Sequence, residues 1–230
     1  MGLGRRNGLW IVALLACGGP WPGEVAASDS VLVRSEAGPV RVVVVARGLE
    51  NPWALGFLPD GRMVVSERPG RLRLITPQGV VSAPLAGVPP VHAQGQGGLL
   101  DVAVSPAFAQ DRLVYFSYAE PTVTGVRTAV GRGRLNPAGT ALEGVERIFA
   151  QAEDPSGRHH FGSRLVFGRD GSLFVTLGER FSHRERAQDL GSDLGKVVRI
   201  LADGRIPPDN PFVGRPGARP ELWSYGHRNV

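Results

Sequence analysis

Two adjacent histidines open a stretch that is otherwise typical of β-structure. The segment RHHFGSRLVFGRDGSLFVTLGE covers residues 158–179, with His159 and His160 before one apolar run and Glu179 after the next. Imidazole exchanges a proton near neutral pH, and an adjacent carboxylate fixes its tautomer and stabilises the imidazolium. If the two ends of this hairpin meet at one face of the protein, the segment predicts an acid–base pair.

Short β-hairpins recur along the chain and must position these residues. Residues 54–75 are predicted to form three apolar strands, and residues 99–120 and 163–179 two strands each, joined by turns rich in Pro, Asp or Gly. Residues 194–207 supply one more strand followed by a turn. Asp-Gly pairs suit the positive φ of tight hairpin turns. We find no long amphipathic pattern, and residues 182–195 have room for one helical turn at most.

Composition and repeat spacing together predict an all-β fold. The 230 residues are 42% hydrophobic and 20% charged, with 32 Gly and 19 Pro, so the chain can bury a core and form many tight turns. Hairpins that recur roughly every 45–65 residues favour a β-propeller, with an ordinary β-sandwich as the alternative. In a propeller, the loops of one face converge on a central channel, where a common site forms.

The positive charge of the chain does not indicate a nucleic-acid partner. The net charge is +5 and the isoelectric point is about 10.3, but the arginines are scattered singly among apolar residues and acids. Lys196 is the only lysine. We therefore expect no nucleic-acid binding.

The first 27 residues are predicted to be an export signal. A basic start, MGLGRRNG, precedes LWIVALLA, an apolar run that is too short to span a membrane, and EVAAS offers a cleavage site after Ala27. The lone Cys17 in LLACGG resembles a lipoprotein cleavage site, so a lipid anchor at Cys17 is an alternative to a discarded leader. We expect an exported, periplasmic or membrane-anchored protein, with residues 28–39 as a short linker before a domain over residues 40–230.

Five motifs in order resemble the glucose/sorbosone dehydrogenase family. They are GLENPWALGFLPDGRMVVSERPGRL, GQGGLLDVAVSPAF, HHFGSRLVFGRDGSLFVTLGE, LGKVVRI with PPDNPF, and ELWSYGHRN. The resemblance implies a six-bladed β-propeller of four-stranded antiparallel blades. It also implies pyrroloquinoline quinone (PQQ) as cofactor, with Ca²⁺ beside it, and oxidation of the C1 hydroxyl of aldose sugars to lactones. The partners would be an aldose and an electron acceptor.

The resemblance assigns the catalytic pair to the opening hairpin. The histidine of the family's H-x-x-x-R segment is the base and matches His160, with Arg164 completing the pattern. The family has an aspartate after the strand that ends T-x-G, where it orients the histidine, and this chain has Glu179 there. The added methylene leaves open whether this carboxylate reaches the imidazole.

The resemblance also implies three cofactor-binding residues. Gln96 matches the glutamine of the G-Q-x-G-L-L segment, and Arg228 and Asn229 match the arginine and asparagine of the G-H-R-N segment, which contact the quinone. An arginine there stabilises the negative charge that develops on the quinone oxygen, so Arg228 is also assigned a catalytic role. No metal ligand is assigned, because the family's calcium-binding positions are expected beyond residue 230.

Each assigned residue also has a plainer interpretation. His160 could bind only backbone, His159 could pack or cap, and Gln96 could be a turn residue between glycines. Glu179 could pair with Arg180 or Arg184 on the surface, and the 228–229 pair could fray at the chain end. Trp53, Glu67 and Arg68 are interpreted as blade-packing residues without chemistry.

Three functions stay open at this point. The first is a PQQ sugar dehydrogenase of which this chain is a part, and we expect residues 28–230 alone to lack activity because the ring does not close. The second is a calcium-dependent propeller hydrolase of the lactonase kind, which needs converging acids that the strand ends do not offer. The third is a non-catalytic propeller that binds a protein or glycan.

Overall fold

The chain folds almost entirely into short antiparallel strands. A computed structural model describes residues 12–14 and 30–230. The strands are β1 Val12–Leu14, β2 Ser30–Ser35, β3 Gly38–Val44, β4 Pro52–Phe57, β5 Met63–Glu67, β6 Arg71–Ile75, β7 Leu99–Val104, β8 Leu113–Pro121, β9 Val126–Leu135, β10 Leu142–Ala150, β11 Gly162–Phe167, β12 Leu173–Leu177, β13 Lys196–Ile200 and β14 Leu222–Tyr225.

Four antiparallel sheets follow one another along the chain. Their strand orders are β1-β3-β2, β4-β5-β6, β7-β8-β9-β10 and β11-β12-β13-β14. Apart from the first, each sheet is built from consecutive strands that pair antiparallel in chain order, which is the construction of a propeller blade. Two sheets have the four strands expected of a blade, and the other two have three in the part of the chain that the structure describes.

The sheets pack against one another through their faces. The first strand of the third sheet, β7, contacts the first strands of both neighbouring sheets, β4 and β11. One buried cluster, which includes Val64, Leu99 and Phe116, fills the space between the second and third sheets, and another, with Tyr115 and Val175, lies between the third and fourth. Burial of these apolar faces is the main force that holds the sheets side by side.

A hydroxyl group makes an equivalent pair of hydrogen bonds in each of three successive sheets. Ser66, Ser117 and Thr176 lie in the second strand of their sheets, and each accepts a hydrogen bond from a backbone N–H of the first strand. Ser66 and Ser117 then donate to a backbone carbonyl in the first strand of the next sheet, and Thr176 donates to a backbone carbonyl that follows β14. The acceptors are Leu100 O at 2.5 Å, Ser163 O at 2.6 Å and Val230 O at 2.9 Å. The bridges satisfy polar groups that the packed sheets would otherwise bury unpaired.

The segment expected to be a linker forms part of a hairpin. Residues 28–39 include β2 and the start of β3, which pair antiparallel around a turn at Glu36 and Ala37. Gly38 closes this turn with a φ of +115°. Alternating polar and apolar residues on both sides of the turn explain the pairing. The predicted leader lies outside the described residues except for β1, whose backbone pairs with β3.

Helical structure is sparse between residues 30 and 230. One α-helical turn, α1, covers Phe108–Asp111, and a 3₁₀ helix covers Arg184–Gln188 inside the segment expected to hold one helical turn. Across the described residues, we find no helix whose length and apolar character would allow it to cross a membrane.

Candidate active site

His160 and Glu179 form a direct pair at one end of the fourth sheet. His160 precedes β11 and Glu179 follows β12, and these strands pair antiparallel with Gly162 opposite Leu177, so the ends of the hairpin meet. The His160 Nδ1 lies 2.7 Å from Glu179 Oε1, with the imidazole 12% exposed and the carboxylate 2% exposed. An ionised carboxylate only accepts hydrogen bonds, so this contact places a proton on Nδ1, and in the neutral imidazole the Nε2 then has a free lone pair.

The backbone around His160 is held in an uncommon conformation. His160 has a φ of +52°, in the left-handed region that non-glycine residues seldom adopt. Its N–H donates to the Gln96 side-chain oxygen at 2.8 Å, and the Gln96 N–H donates to the Arg158 carbonyl at 2.7 Å. We call residues 157–160 the histidine loop. Gln96 lies in the turn before β7 and therefore fixes this loop from the neighbouring part of the fold. Strain of this kind is concentrated at functional sites.

Gly178 lets the histidine loop lie directly on the end of β12. A Cβ at this position would lie 2.0 Å from the His160 carbonyl oxygen, which is backbone and cannot rotate away. The absence of a side chain here is therefore required for the close approach that brings His160 to Glu179.

Replacing Gly178 with Ala is expected to push His160 away from Glu179. A shift of about 1 Å in a reacting group can lower turnover about 100-fold, and we expect a loss of this order with a smaller loss of stability. Turnover and thermal unfolding are measured together. Gly144→Ala in β10 is the control, since a Cβ there would meet no atom within 4 Å, while its φ of +58° makes the substitution destabilising in itself. Unchanged turnover in Gly178→Ala would contradict this role of the close contact.

Arg228 and Asn229 are tied into the same region. The Glu179 N–H donates to the Arg228 carbonyl at 2.9 Å, and the Gly162 N–H donates to the Asn229 side-chain oxygen at 2.9 Å. The Arg228 Nε lies 3.6 Å from Glu179 Oε1, with the side chain 66% exposed. The structure thus brings both residues to the histidine–glutamate pair, and the guanidinium stays accessible to a ligand.

A cavity of about 230 Å³ lies beside the histidine loop. Two predicted cofactor residues, Gln96 and Asn229, line it. The full lining is Trp53, Arg68, Gln96, Leu100, Phe161, Gly162 and Asn229. It combines an apolar wall with amide and guanidinium donors. Such a lining suits a flat, partly apolar ligand that carries oxygen acceptors.

Two residues of this lining, Trp53 and Arg68, do more than the packing that the sequence predicted for them. Arg68 directly follows β5 and donates to the Gly95 carbonyl next to Gln96. Arg68 is the first residue after the second strand of its sheet and Glu179 is the second residue after β12, so both follow the same end of corresponding strands. This correspondence is the signal in the sequence that would have placed Arg68 at the site. Glu67 is fully buried and pairs with two arginines, in agreement with a packing role.

Arg164, which completes the H-x-x-x-R pattern, does not line the first cavity itself but contacts the lining residue Trp53. Its guanidinium lies 4.2 Å from the centroid of the Trp53 ring and 3.3 Å from an Asp101 oxygen. Burial raises the pKa of Asp101, an effect that its hydrogen bonds from Leu165 N–H and Arg164 only partly offset. Arg164 therefore orients the tryptophan wall of the cavity.

A second cavity, of about 210 Å³, lies on the other side of Glu179. Glu179, Arg184, Ala187, Gln188, Gly226, His227 and Arg228 line it. The buried Lys196 holds the segment that carries the lining residue Ala187, because its ammonium donates to the Arg186, Ala187 and Leu194 carbonyls at 2.6–3.0 Å. Burial lowers the pKa of Lys196 to about 8.

The structure does not bring the exposed His159 into the pair formed by His160 and Glu179, and its ring centroid lies 5.8 Å from that of Phe181.

The donors at the first cavity fit PQQ better than they fit a metal. PQQ is a flat quinone with three carboxylates, and the guanidinium of Arg68 and the amides of Gln96 and Asn229 offer hydrogen-bond donors to such oxygens. Among the residues that the structure describes, no three His, Cys, Asp or Glu side chains group in a way that could hold a metal ion. The donor set therefore fits the cofactor that the resemblance implies.

These observations define a class of protein: an all-β fold built from blade-like antiparallel sheets, with a histidine–carboxylate pair in the loops at one end of a sheet. The family model for glucose/sorbosone dehydrogenases matches residues 49–230. The chain therefore belongs to the glucose/sorbosone dehydrogenase family, and the predicted family and β-propeller fold are confirmed.

Named relatives agree with this membership. The aldose sugar dehydrogenase YliI of Escherichia coli is 48% identical over 192 residues, which cover 83% of this chain and 52% of the relative. Quinoprotein glucose dehydrogenase B of Acinetobacter calcoaceticus is 30% identical over 213 residues, covering 81% of this chain and 44% of the relative. The PQQ-bound aldose sugar dehydrogenase of Streptomyces coelicolor superimposes with a TM-score of 0.69 at 35% identity, covering 81% of this chain and 53% of that one. The chain spans about half the length of the relatives that it matches.

Proposed function

We propose that this chain contributes the base-carrying part of a PQQ-dependent aldose sugar dehydrogenase, which oxidises the C1 hydroxyl of the sugar to a lactone. The observation that carries the proposal is the 2.7 Å contact between His160 Nδ1 and Glu179, because it leaves the Nε2 as a base. The named relatives support the substrate class and the cofactor.

The residues of the site have separate roles in this proposal. His160 Nε2 removes the proton of the C1 hydroxyl, and the carboxylate of Glu179 holds the imidazole in the required tautomer and stabilises the imidazolium. A bound PQQ would supply the hydride acceptor for C1 of the sugar. Arg228 lines the second cavity, beside Glu179, and the family resemblance assigns it to supply positive charge for the quinone oxygens from there, with a side chain that is 66% exposed.

Cofactor binding is assigned to three residues that line the first cavity. Gln96 and Asn229 each keep amide N–H donors after their oxygens accept backbone hydrogen bonds from the histidine loop and β11. Arg68 adds a cation to the same lining. Calcium stays a prediction of the family resemblance. Export and the lipid anchor also stay predictions, because Cys17 and the cleavage site lie outside the described residues.

The test is a titration of the purified protein with PQQ, followed by absorbance, and then dye reduction with aldoses in the presence of Ca²⁺. The protein is used in a form whose propeller ring closes, since residues 28–230 alone are expected to lack activity. We expect saturable binding of PQQ and sugar-dependent reduction that needs it. Gln96→Ala with Asn229→Ala is the paired variant, and we expect it to weaken PQQ binding about tenfold or more. Hydrolysis of a lactone without PQQ would favour the calcium-dependent hydrolase instead. Binding of neither PQQ nor sugar would favour a non-catalytic propeller.

A further inference from the structure

Arg180 is a fully buried arginine with an unusual set of partners. Its guanidinium donates to three backbone carbonyls, those of His159 at 3.2 Å, Val126 at 2.7 Å and Gly157 at 2.8 Å. It also lies 3.9 Å from the centroid of the Phe161 ring. Among the described residues, no carboxylate pairs with it, so the positive charge is balanced only by carbonyl dipoles and the aromatic face.

A buried cation without a counter-ion is costly to keep. Removal of a charge from water carries a penalty of several kcal/mol unless hydrogen bonds and charges compensate for it. Burial lowers the pKa of Arg180 to about 10, which still leaves it protonated at neutral pH. An apolar side chain would fill the same space at lower cost. The arginine therefore provides something that packing alone does not.

The contacts of Arg180 converge on the loop that carries His160. Two of its three carbonyl partners, Gly157 and His159, belong to residues 157–160, and its own N–H lies 3.3 Å from the His160 carbonyl. Arg180 is also the residue that follows Glu179. One residue thus connects, through its backbone and side chain, the two segments that present the base and the carboxylate.

We propose that Arg180 is a positioning residue, which clamps residues 157–160 so that the imidazole of His160 stays against Glu179. The clamp is needed because His160 has a left-handed φ of +52°, a conformation that the loop would leave if its carbonyls were released. This inference rests on the proposed function for the consequence on turnover, but not for the geometry of the pair.

The test compares Arg180→Met and Arg180→Lys with the exposed control Arg205→Met. Arg205 lies at a surface turn, where it pairs with Asp203. Nitrogen NMR of the imidazole reports the tautomer of His160, and hydrogen exchange reports the opening of residues 157–160. We expect a single Nδ1–H tautomer in the protein and the control. In Arg180→Met we expect mixed tautomers and at least about tenfold faster exchange in the loop.

The kinetic readout separates positioning from general loss of stability. In the PQQ-loaded full-length protein, we expect kcat to fall about 10- to 100-fold in Arg180→Met, with the KM for the aldose within about threefold, because none of the residues that line the first cavity is replaced. Added guanidinium ion should restore part of kcat. Arg180→Lys keeps a charge but not the planar fork, so its effects should be smaller but of the same kind.

Separate results would overturn this inference and the proposed function. An unchanged tautomer and unchanged loop exchange in Arg180→Met overturn the clamp, whatever the turnover of the protein is. If Arg180→Met does not fold, the same two measurements on Arg180→Lys decide the question. A parent protein that neither binds PQQ nor oxidises sugar overturns the proposed function, while the NMR and exchange results still test the clamp.

Discussion

His160→Ala is expected to lower turnover with aldoses by about 10²- to 10⁴-fold, the usual contribution of a positioned general base. Among the described residues, the Glu179 carboxylate makes one short side-chain hydrogen bond, and it orients the imidazole of His160 at 2.7 Å. Removing the ring takes away the proton acceptor for the C1 hydroxyl. PQQ binding should persist, because Gln96, Asn229 and Arg68 are unchanged.

His159→Ala provides the matched control for this substitution. The two histidines are adjacent, but His159 is exposed, and only its backbone carbonyl contributes to the loop contacts. We expect its turnover to stay within about threefold of the parent protein, since a surface substitution away from the reacting groups has small effects. Steady-state dye reduction and PQQ titration measure both variants. Near-normal turnover in His160→Ala would assign the base to another residue.

The arrangement of strands was predictable because Pro, Asp and Gly residues mark the turns in the sequence. Asp-Gly pairs mark hairpins at 60–61, 170–171 and 203–204, and all three glycines have φ between +80° and +89° in the structure. Residues 30–39 of the segment expected to be a linker lie in the β2–β3 hairpin, because the alternating pattern there is too short to distinguish from irregular chain. The hydroxyl bridges of Ser66, Ser117 and Thr176 were missed, because a hydroxyl in a strand has no distinctive local pattern.

The site was predictable only where a motif fixed a residue. His160, Gln96 and Asn229 were identified from motifs, and the structure brings them together through the hydrogen bonds of the histidine loop. Arg68 reaches the same cavity from another sheet, and convergence between sheets is a property of the fold rather than of local spacing. Arg180 was considered only as a possible surface partner of Glu179. Its burial depends on carbonyls at residues 126 and 157, which no local pattern connects to it.

The reach of Glu179 was the main question that the sequence left open. A glutamate in place of the family's aspartate adds a methylene, and the added length placed the contact with the imidazole in doubt. The structure shows that the carboxylate reaches Nδ1 while its side chain stays 2% exposed. Its second oxygen, Oε2, is buried without a hydrogen-bond partner among the described residues. The carboxylate therefore interacts through Oε1, with the histidine at 2.7 Å and with the Arg228 Nε at 3.6 Å, and its burial keeps water from screening its charge.

Glu179→Gln is accordingly expected to lower kcat by about 10²- to 10⁴-fold while the fold and PQQ binding are retained. The amide has the size of the carboxylate but no negative charge, so it no longer stabilises the imidazolium and no longer selects one tautomer. Imidazole NMR should show the loss of a single Nδ1–H tautomer together with the loss of turnover. Glu185→Gln, an exposed acid of the 3₁₀ helix, is the control and should behave like the parent protein.

Glu179→Asp distinguishes a carboxylate that fits from one that is merely tolerated. If the glutamate were a poor substitute for aspartate, activity would hold or rise in this variant. Because the 2.7 Å contact already exists, shortening the side chain by one methylene must lengthen it or move the loop, and we expect kcat to fall about tenfold. The decrease should be smaller than in Glu179→Gln, since the charge remains near the ring. A rise in kcat, measured at saturating sugar and PQQ, would show that the observed contact is not the productive one.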